Sequence, residues 1–490
     1  MKGIDQRINE MFQPVVDALS QILFWDPIKA LGIDIGAAAP IVVLWLIVGG
    51  LFFTIRMKFI NIRAFGHGVA LASGRYRSKQ SQGEVSPFQA LTTALSATVG
   101  LGNIAGVAIA ISLGGPGATI WMIMAGFLGM SLKFTECTLG VKYRVIDEKG
   151  KVSGGPMYYL RKGLEGKGRK QLGIFLAILF AILVIGASFG GGNMLQVNQA
   201  FAQLQYVVPQ MEGYGAVFGL VVAFLVGLVV VGGIKGIARV TSKLVPIMAI
   251  IYIVTSMYII GVHFSELGAI FKLIFRSAFG LEAIGGGFFG ALFVGFQRGA
   301  FSNEAGIGSS PIAHAAAQTT EPVSEGMVAL LEPFVDTMVV CTMTALGIVS
   351  TGLYVNPDGL EGAQLTAAAF GSILPWFPYI LVLCIFLFAF STMISWSYYG
   401  LKGFNFLFAK PLTRLTGKSR MSDLVYYFFF LASIVVGASS SLTAVIDFSD
   451  MMILGMAFPN IIGLMYLAPE VSLDMKQYLH KLKLQQSSQQ

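Results

Sequence analysis

Long apolar blocks recur along the chain, and short polar or basic stretches separate them. Clear examples are residues 41–53, 217–231, 244–262 and 425–437, which hold no charged side chain. A helix that crosses a bilayer needs about 20 predominantly apolar residues. The pattern therefore predicts an all-α polytopic membrane protein with eleven transmembrane helices, at residues 37–55, 88–112, 116–141, 172–205, 215–233, 244–262, 284–316, 326–352, 373–404, 422–440 and 444–467.

The two ends of the chain have a different pattern. Apolar residues from Ile4 to Leu23 recur at helical spacing and alternate with charged residues such as Asp5 and Glu10. This pattern predicts that residues 1–36 form an amphipathic segment in the membrane interface, because a signal peptide has an uncharged core. Residues 468–490 follow the last apolar block and are predicted to form a cytoplasmic tail.

Basic residues are sorted by the side of the membrane on which they are predicted to lie. The composition is 55% hydrophobic and 12% charged, and the formal charge is +8. Of the 33 Lys and Arg residues, 26 fall in alternate loops and the tail, and five fall on the opposite side. By the positive-inside rule, this asymmetry places the amino terminus outside and the carboxyl terminus in the cytoplasm of a multi-pass cell-membrane protein. It accounts for the positive charge without a nucleic-acid partner.

Glycine and polar residues interrupt two of the predicted spans. The first interruption covers residues 96–106, and the second covers residues 296–308. Non-helical backbone at membrane depth is tolerated where it lines a buried cavity, although glycines also serve tight helix packing. In secondary transporters, interrupted helices hold substrates and ions, because free N–H groups attract an anion and free carbonyls attract a cation.

The positions of the interruptions predict an internal repeat. If residues 37–55 form an extra helix, the interrupted spans open two sets of five, at residues 87–262 and residues 263–467. The second set begins with an extracellular hairpin at residues 263–283. Interrupted helices at corresponding positions are typical of transporters with an inverted repeat, so we predict ten core helices in two halves.

Other polar residues within the spans need explanation. Ser391 and Thr392 offer hydroxyl ligands that suit a hard cation such as sodium, although such hydroxyls often bond to the preceding helical turn instead. Arg298 and Glu304 need partners at membrane depth. We expect them to neutralise each other or to contact Asp336.

Five motifs resemble those of the alanine or glycine:cation symporters, also called sodium:alanine symporters. They are Phe88–Leu91 with the run to Gly106, Gly114–Ala118, Gly154–Tyr158, Arg298–Gly306 and Trp396–Gly400. The likeness covers residues 37–467. It implies a LeuT-type fold of five plus five helices with one added amino-terminal helix, within the amino acid-polyamine-cation superfamily. It also implies sodium-coupled import of small neutral amino acids such as alanine, glycine or glutamine.

The resemblance further implies a sodium site. The string from Val99 to Asn103 is similar to the unwound first core helix of the sodium-coupled neurotransmitter transporters. By that similarity, sodium is bound by main-chain oxygens of Ser96 and Val99 and by the hydroxyls of Ser391 and Thr392. Phe388 stands where the wider group has a small residue, but only its carbonyl is required.

The family pattern also implies a substrate site. Thr98, Gly100, Gly102 and Asn103 are expected to receive the substrate carboxylate, and Gly190 is expected to line the pocket. Phe301 and Trp396 are expected to close over the side chain of the substrate. The substrate amino group is expected to donate to Gln297 or to carbonyls of the seventh span, where Ser302 lies.

Other functional classes fit the sequence less well. Gly186–Gly190 matches the Gly-x-Ser-x-Gly pattern of serine hydrolases, but that motif functions at a strand-to-helix turn, and here it lies within a predicted span. The glycines do not have the spacing of a phosphate loop, which argues against ATP as the energy source. No organic cofactor is expected. A passive channel and a proton-coupled or exchange-type amino-acid transporter of the same fold are the alternatives to sodium symport.

Overall fold

The computed structural model of the protein is almost entirely helical, which confirms the predicted all-α class. It describes residues 20–75, 82–280, 287–355, 359–418, 420–440 and 442–487. Most of the predicted interfacial segment therefore lies outside the described residues. Its described end includes helical residues 20–23 and the short helix α1 (Pro27–Ala30), whose first turn is capped by the Asp26 carboxylate.

The amino-terminal part contains the predicted extra helix, α2, and the first group of core helices. The helices are α2 (Ile41–Arg56), α3 (Ile60–Arg63), α4 (Phe65–Ala72), α5 (Pro87–Thr98), α6 (Ala105–Gly114), α7 (Ala118–Lys142), α8 (Pro156–Gly166), α9 (Lys170–Phe189), α10 (Leu195–Val207), α11 (Gly215–Val230) and α12 (Gly233–Val262). Between α7 and α8, a short antiparallel hairpin pairs β1 (Val145–Ile146) with β2 (Val152–Ser153).

The carboxyl-terminal part repeats the alternation of long and broken helices. The helices are α13 (Leu267–Phe279), α14 (Gly287–Asn303), α15 (Pro311–His314), α16 (Pro322–Ala329), α17 (Leu331–Pro333), α18 (Thr342–Thr351), α19 (Ala363–Gly371), α20 (Phe377–Thr416), α21 (Met421–Ser439), α22 (Leu442–Gly455) and α23 (Ala457–Ser487). A π-helical stretch, Phe334–Cys341, joins α17 to α18.

Length and composition support a multi-pass membrane protein. Seven helical spans of the described part are long and apolar enough to cross a membrane, or eight if the bent pair of α5 and α6 forms one span. Helices α2 and α11 are also apolar but have only 16 residues each. The count of eleven spans therefore stays a prediction.

Both interruptions predicted from the sequence are breaks in helices. Helices α5 and α6 meet at an angle of 59°. Helix α14 ends at Asn303, and Glu304 follows with a left-handed backbone (φ 55°). The seven residues from Glu304 to Ser310 then lead to the short helix α15.

Residues 468–487, most of the predicted cytoplasmic tail, are helical and pack against the core. Helix α23 continues through them to Ser487, and Val471 and Met475 are buried. The Lys142 ammonium lies 2.7 Å from a Glu470 carboxylate oxygen, which ties this extension to the end of α7. The polar part of the sequence is therefore a packed continuation of the last core helix.

Close helix packing depends on glycine at several contacts, and the contact between α7 and α16 is among the tightest. A β-carbon added to Gly326 on α16 would lie 2.1 Å from the Thr138 hydroxyl and 2.6 Å from the Phe134 carbonyl of α7. The carbonyl belongs to the helix backbone and has little room to move. The two helices therefore approach to a distance that only glycine permits.

Gly326→Ala is expected to lower the thermal midpoint of the purified protein in detergent, because a methyl group forced into a packed contact costs about 1–3 kcal/mol. Gly261→Ala on α12 is the control, since a β-carbon there meets no atom within 4 Å. Equal midpoints for the two variants would contradict the close contact.

Candidate substrate and ion site

The first core helix is broken at the point where its backbone leaves the helical path. Val99 is extended (φ −71°, ψ 92°), and Leu101–Asn103 forms a single 3-10 turn before α6 begins. The Asn103 side-chain oxygen accepts a hydrogen bond from Gly100 N at 2.8 Å. Among the described residues, the N–H groups of Leu101 and Gly102 have no hydrogen-bond partner. The break therefore presents free backbone donors deep inside the protein.

The oxygens predicted to hold sodium lie where α5 and α20 meet. The Thr392 hydroxyl donates to the Ser96 carbonyl at 2.9 Å. The Ser391 hydroxyl donates to the Phe388 carbonyl at 2.9 Å. Ser391 thus bonds to its own preceding turn, whereas Thr392 bonds across to the other helix. Both side chains and Ser96 are buried, and Val99 follows Ser96 by three residues at the break.

A small cavity lies beside this cluster, and it brings both broken helices together with α10 and α20. Residues predicted to bind the substrate line it from the first break, from α14 and from α20. The lining residues are Ala97, Thr98, Gly100, Leu101, Gly102, Gly191, Gln196, Phe301, Glu304, Trp396 and Ile453. Predicted residues Thr98, Gly100, Gly102, Phe301 and Trp396 therefore share one cavity.

Gln196 supplies a polar group in this cavity that the sequence analysis did not single out as a ligand. Its amide nitrogen donates to the Gly191 carbonyl at 2.8 Å. Its side-chain oxygen is buried and has no hydrogen-bond partner among the described residues. That oxygen lies 3.4 Å from the position that a β-carbon on Gly100 would occupy. A free acceptor therefore faces the break in the first core helix.

Four predicted substrate residues are placed outside the cavity lining. Gly190 packs against Phe448, and the next glycine, Gly191, lines the cavity instead. Gln297 points towards Asp450, at 3.5 Å. The side chains of Asn103 and Ser302 both donate to the buried carboxylate of Asp336.

Asp336 is the centre of a buried polar corner next to the break. Its carboxylate accepts hydrogen bonds from Asn103 (2.6 Å), Ser302 (2.6 Å) and Thr337 (2.8 Å). All three donors are neutral, and Asp336 is fully buried. The corner thereby fixes the two broken helices to the π-helical stretch Phe334–Cys341.

Glu304 closes the cavity on the side of the α14 break. One carboxylate oxygen accepts from the Trp396 indole at 3.2 Å, and the other accepts from the Ser309 hydroxyl. Behind it lies a buried polar network. Lys133 contacts Ser310 and pairs with Glu332 at 3.0 Å, while the two His314 nitrogens lie 2.6 Å from Glu325 and Glu332. This network fixes α7, α15, α16 and α17 to one another.

The prediction that Arg298 pairs with Glu304 or contacts Asp336 is wrong. Its guanidinium pairs with Asp450 of α22 at 2.8 Å, and neither Glu304 nor Asp336 is its partner. The reason is geometric: Arg298 lies within α14, whereas Glu304 follows the end of that helix and turns to Trp396. Arg298 and Asp450 line a neighbouring pocket with Gln199 and other residues, which we call the vestibule, and it shares Leu101, Gly102 and Phe301 with the cavity.

The comparisons with known proteins agree with this architecture. The sodium:alanine symporter family matches residues 32–490. The sodium/alanine symporter AgcS of Methanococcus maripaludis is 40% identical over 445 residues, which cover 90% of this chain and 94% of that protein. The probable sodium/glutamine symporter GlnT of Bacillus subtilis is 34% identical over 450 residues, or 91% of this chain and 89% of that protein.

A solved structure identifies the fold. The crystal structure of MhsT in complex with L-phenylalanine superposes with a TM-score of 0.53 at 16% identity, and the match covers 80% of this chain and 98% of that one. The architecture is therefore the LeuT-type fold that the sequence predicts. The family match and the similarity to AgcS, rather than the fold, identify the chain as a secondary transporter. With the family matched along nearly its whole length, this chain belongs to the sodium:alanine symporter family.

Proposed function

We propose that this protein imports a small neutral amino acid together with sodium, by alternating access around the break in its first core helix. The observation that carries the proposal is the cavity in which unbonded backbone N–H groups and the free oxygen of Gln196 meet. Donors and an acceptor arranged in this way suit the carboxylate and the ammonium group of a zwitterion. The names of its relatives, sodium/alanine and sodium/glutamine symporters, agree with this class of substrate.

Sodium is the coupling ion in this proposal and is transported with the amino acid. Its ligands are the main-chain oxygens of Ser96, Val99 and Phe388 and the hydroxyls of Ser391 and Thr392. Hydroxyl and carbonyl oxygens are suitable ligands for a hard cation, and none of them adds a buried negative charge. Binding would join α5 and the break that follows it to α20, because Ser96 and Val99 lie on one side and Phe388, Ser391 and Thr392 on the other.

The amino acid would lie across the cavity. Its carboxylate would accept from the N–H groups of Leu101 and Gly102, and its ammonium group would donate to Gln196. This assignment replaces Gln297, which points to Asp450. Phe301 and Trp396 limit the room for the side chain, so the cavity favours alanine or glycine over larger residues.

The two sides of the cavity are closed by different contacts. Arg298 and Asp450 pair on the vestibule side, and Glu304 with Trp396 closes the other side. With the amino terminus outside and the loop between α7 and α9 in the cytoplasm, as the basic residues indicate, the vestibule faces outwards. One charge that moves inward across 100 mV releases about 2.3 kcal/mol, enough for roughly a fiftyfold accumulation.

In proteoliposomes, an inward sodium gradient is expected to drive uptake of labelled alanine or glycine. Thr392→Ala should raise the sodium concentration for half-maximal uptake roughly tenfold, because it removes one ligand. Thr255→Ala on α12 is the matched control, since that hydroxyl only bonds back to the Ile251 carbonyl. Uptake that is independent of sodium would overturn symport, and unchanged sodium dependence in Thr392→Ala would overturn the ion site.

Gln196→Leu is expected to raise the KM for the amino acid about tenfold or more, because a hydrogen bond to a charged group is lost. Gln203→Leu is the control, because Gln203 lies on the same helix and is also buried but does not line the cavity. The KM of this variant should stay near that of the parent. Equal values for the two variants would place the ammonium group elsewhere.

Arg298→Met is expected to lower both uptake and thermal stability, because it leaves the Asp450 carboxylate, which is only 7% exposed, without its cation. Removal of one partner of a buried pair costs about 3–5 kcal/mol, and removal of both costs much less. Arg298→Met/Asp450→Leu should therefore recover stability but not normal uptake. A double variant that is no more stable than Arg298→Met would contradict the pairing.

A further inference from the structure

Lys402 is a buried lysine on α20 whose ammonium group is bound by uncharged oxygens. Lys402 is only 3% exposed. The ammonium group donates to the Val152 carbonyl at 2.5 Å and to the Ser153 hydroxyl at 3.1 Å, and it lies 5.1 Å from the Tyr398 ring centroid. Among the described residues, no carboxylate oxygen lies within 4.0 Å of it. The cation is therefore stabilised by a hairpin that belongs to another part of the molecule.

The hairpin of β1 and β2 is bound on its other side as well. The N–H of Val152 donates to the Glu84 carboxylate at 2.7 Å. Glu84 lies three residues before α5, the first half of the broken core helix. One residue of the hairpin, Val152, is thus bound from both sides: Glu84 binds its N–H group and Lys402 binds its carbonyl.

The same hairpin region is fixed to the end of the second broken helix. Glu84 N donates to the Ala316 carbonyl at 2.8 Å. The Arg144 guanidinium, next to β1, donates to four carbonyls at 2.7–3.0 Å, those of Gln82, Ala315, Ala317 and Thr319. The lead-in to α5, the hairpin and the segment after α15 therefore form one hydrogen-bonded unit, which we call the inner plug (residues 82–86, 144–153 and 315–319).

Lys402 is the buried side-chain link between the inner plug and α20. A second charged contact, Lys151 with Asp423 of α21, is 4.0 Å long and its lysine is 52% exposed. Solvent screens such a contact, so it contributes little. In contrast, a buried ammonium group must keep its acceptors or regain water. The link is therefore strong when the plug lies against α20 and is lost when the plug moves away.

We propose that Lys402 is the latch of the inner gate: it holds the inner plug against α20 and must release Val152 before the cavity opens to the cytoplasm. The proposal rests on the proposed alternating access, in which the broken helices α5 and α14 move relative to α20. Lys402 is a positioning residue in this scheme, because it contacts neither sodium nor the amino acid. Its charge matters through the carbonyl that it binds.

A cysteine reporter at Ala316, which is fully buried in the inner plug, tests the latch. The three native cysteines are buried, and the parent chain without the reporter provides the background reaction. The rate of labelling of Ala316→Cys by a water-soluble maleimide is measured in purified protein, in sodium and in potassium, with and without alanine. Lys402→Gln, Lys402→Arg and Lys410→Gln are added to the reporter in turn.

Lys402→Gln is expected to raise the labelling rate in sodium roughly tenfold, because loss of a charge-assisted hydrogen bond shifts the equilibrium towards the open inner gate. Lys402→Arg keeps the charge and the donors and should remain near the parent rate. Lys410→Gln removes the same charge from an exposed position on the same helix and should also leave the rate unchanged. A rate for Lys402→Gln equal to that of Lys410→Gln would overturn the latch.

A second variant covers the case in which Lys402→Gln aggregates during size-exclusion chromatography. Ser153→Ala removes the hydroxyl that accepts from Lys402 at 3.1 Å and should accelerate labelling in the same direction, and an unchanged rate would again overturn the proposal. The labelling rate of the parent with the Ala316→Cys reporter distinguishes a failure of the proposed transport cycle from a failure of the latch. If sodium and alanine do not alter its rate, the proposed transport cycle fails, whereas a normal response with an inert Lys402 rejects the latch alone.

Discussion

The break in the first core helix depends on the amide of Asn103. A backbone that leaves the helical path at membrane depth loses hydrogen bonds that no lipid replaces. The Asn103 side-chain oxygen accepts a hydrogen bond from the N–H group of Gly100, and the Asn103 side-chain nitrogen donates to Asp336. Asp336 is in turn held by Ser302 of the second broken helix. One side chain therefore stabilises the first break and connects it to the second, and the geometry of the cavity follows from that connection.

Buried charges surround the cavity in two separate groups with different partners. On the vestibule side, Arg298 pairs with Asp450. On the inner side, Glu304 lies in front of a network in which Lys133 and His314 face several glutamates. Buried pairs seldom add net stability, since desolvation offsets their attraction, but they select one arrangement of helices over others. The two groups thus suit surfaces that must separate and return to the same contacts.

The sequence predicts the architecture well because membrane helices are specified by local composition. Apolar blocks locate the helices, and the glycine and polar runs at 96–106 and 296–308 locate both breaks. The Thr392 hydroxyl and the Ser391 carbonyl also lie within hydrogen-bond distance of Ser96. These features depend on short stretches of chain and on the exclusion of water from the bilayer.

Partner choice and side-chain direction were not predictable in the same way. Arg298 pairs with Asp450, more than 150 residues away along the chain, because the packing of α14 against α22 decides which acid is within reach. A π-helical turn at Gly190–Met194 widens the helix and changes which glycine faces the cavity, so Gly191 and Gln196 line it instead of Gly190. Gln196 was visible only as a polar residue at helical spacing from Asn193, which does not reveal that its oxygen is free.

The continuous helix α23 has a mechanical consequence. Its 31 residues give a rod of about 46 Å at 1.5 Å per residue. The part beyond the core is fixed to α7 through Lys142, and a weaker, solvent-exposed ion pair joins Lys481 to Glu321, the residue that precedes α16. Both of those helices belong to the group that contains the broken helices. A small rotation of that group would therefore be amplified at Ser487, and would displace this end of α23 by much more than the atoms around the cavity move.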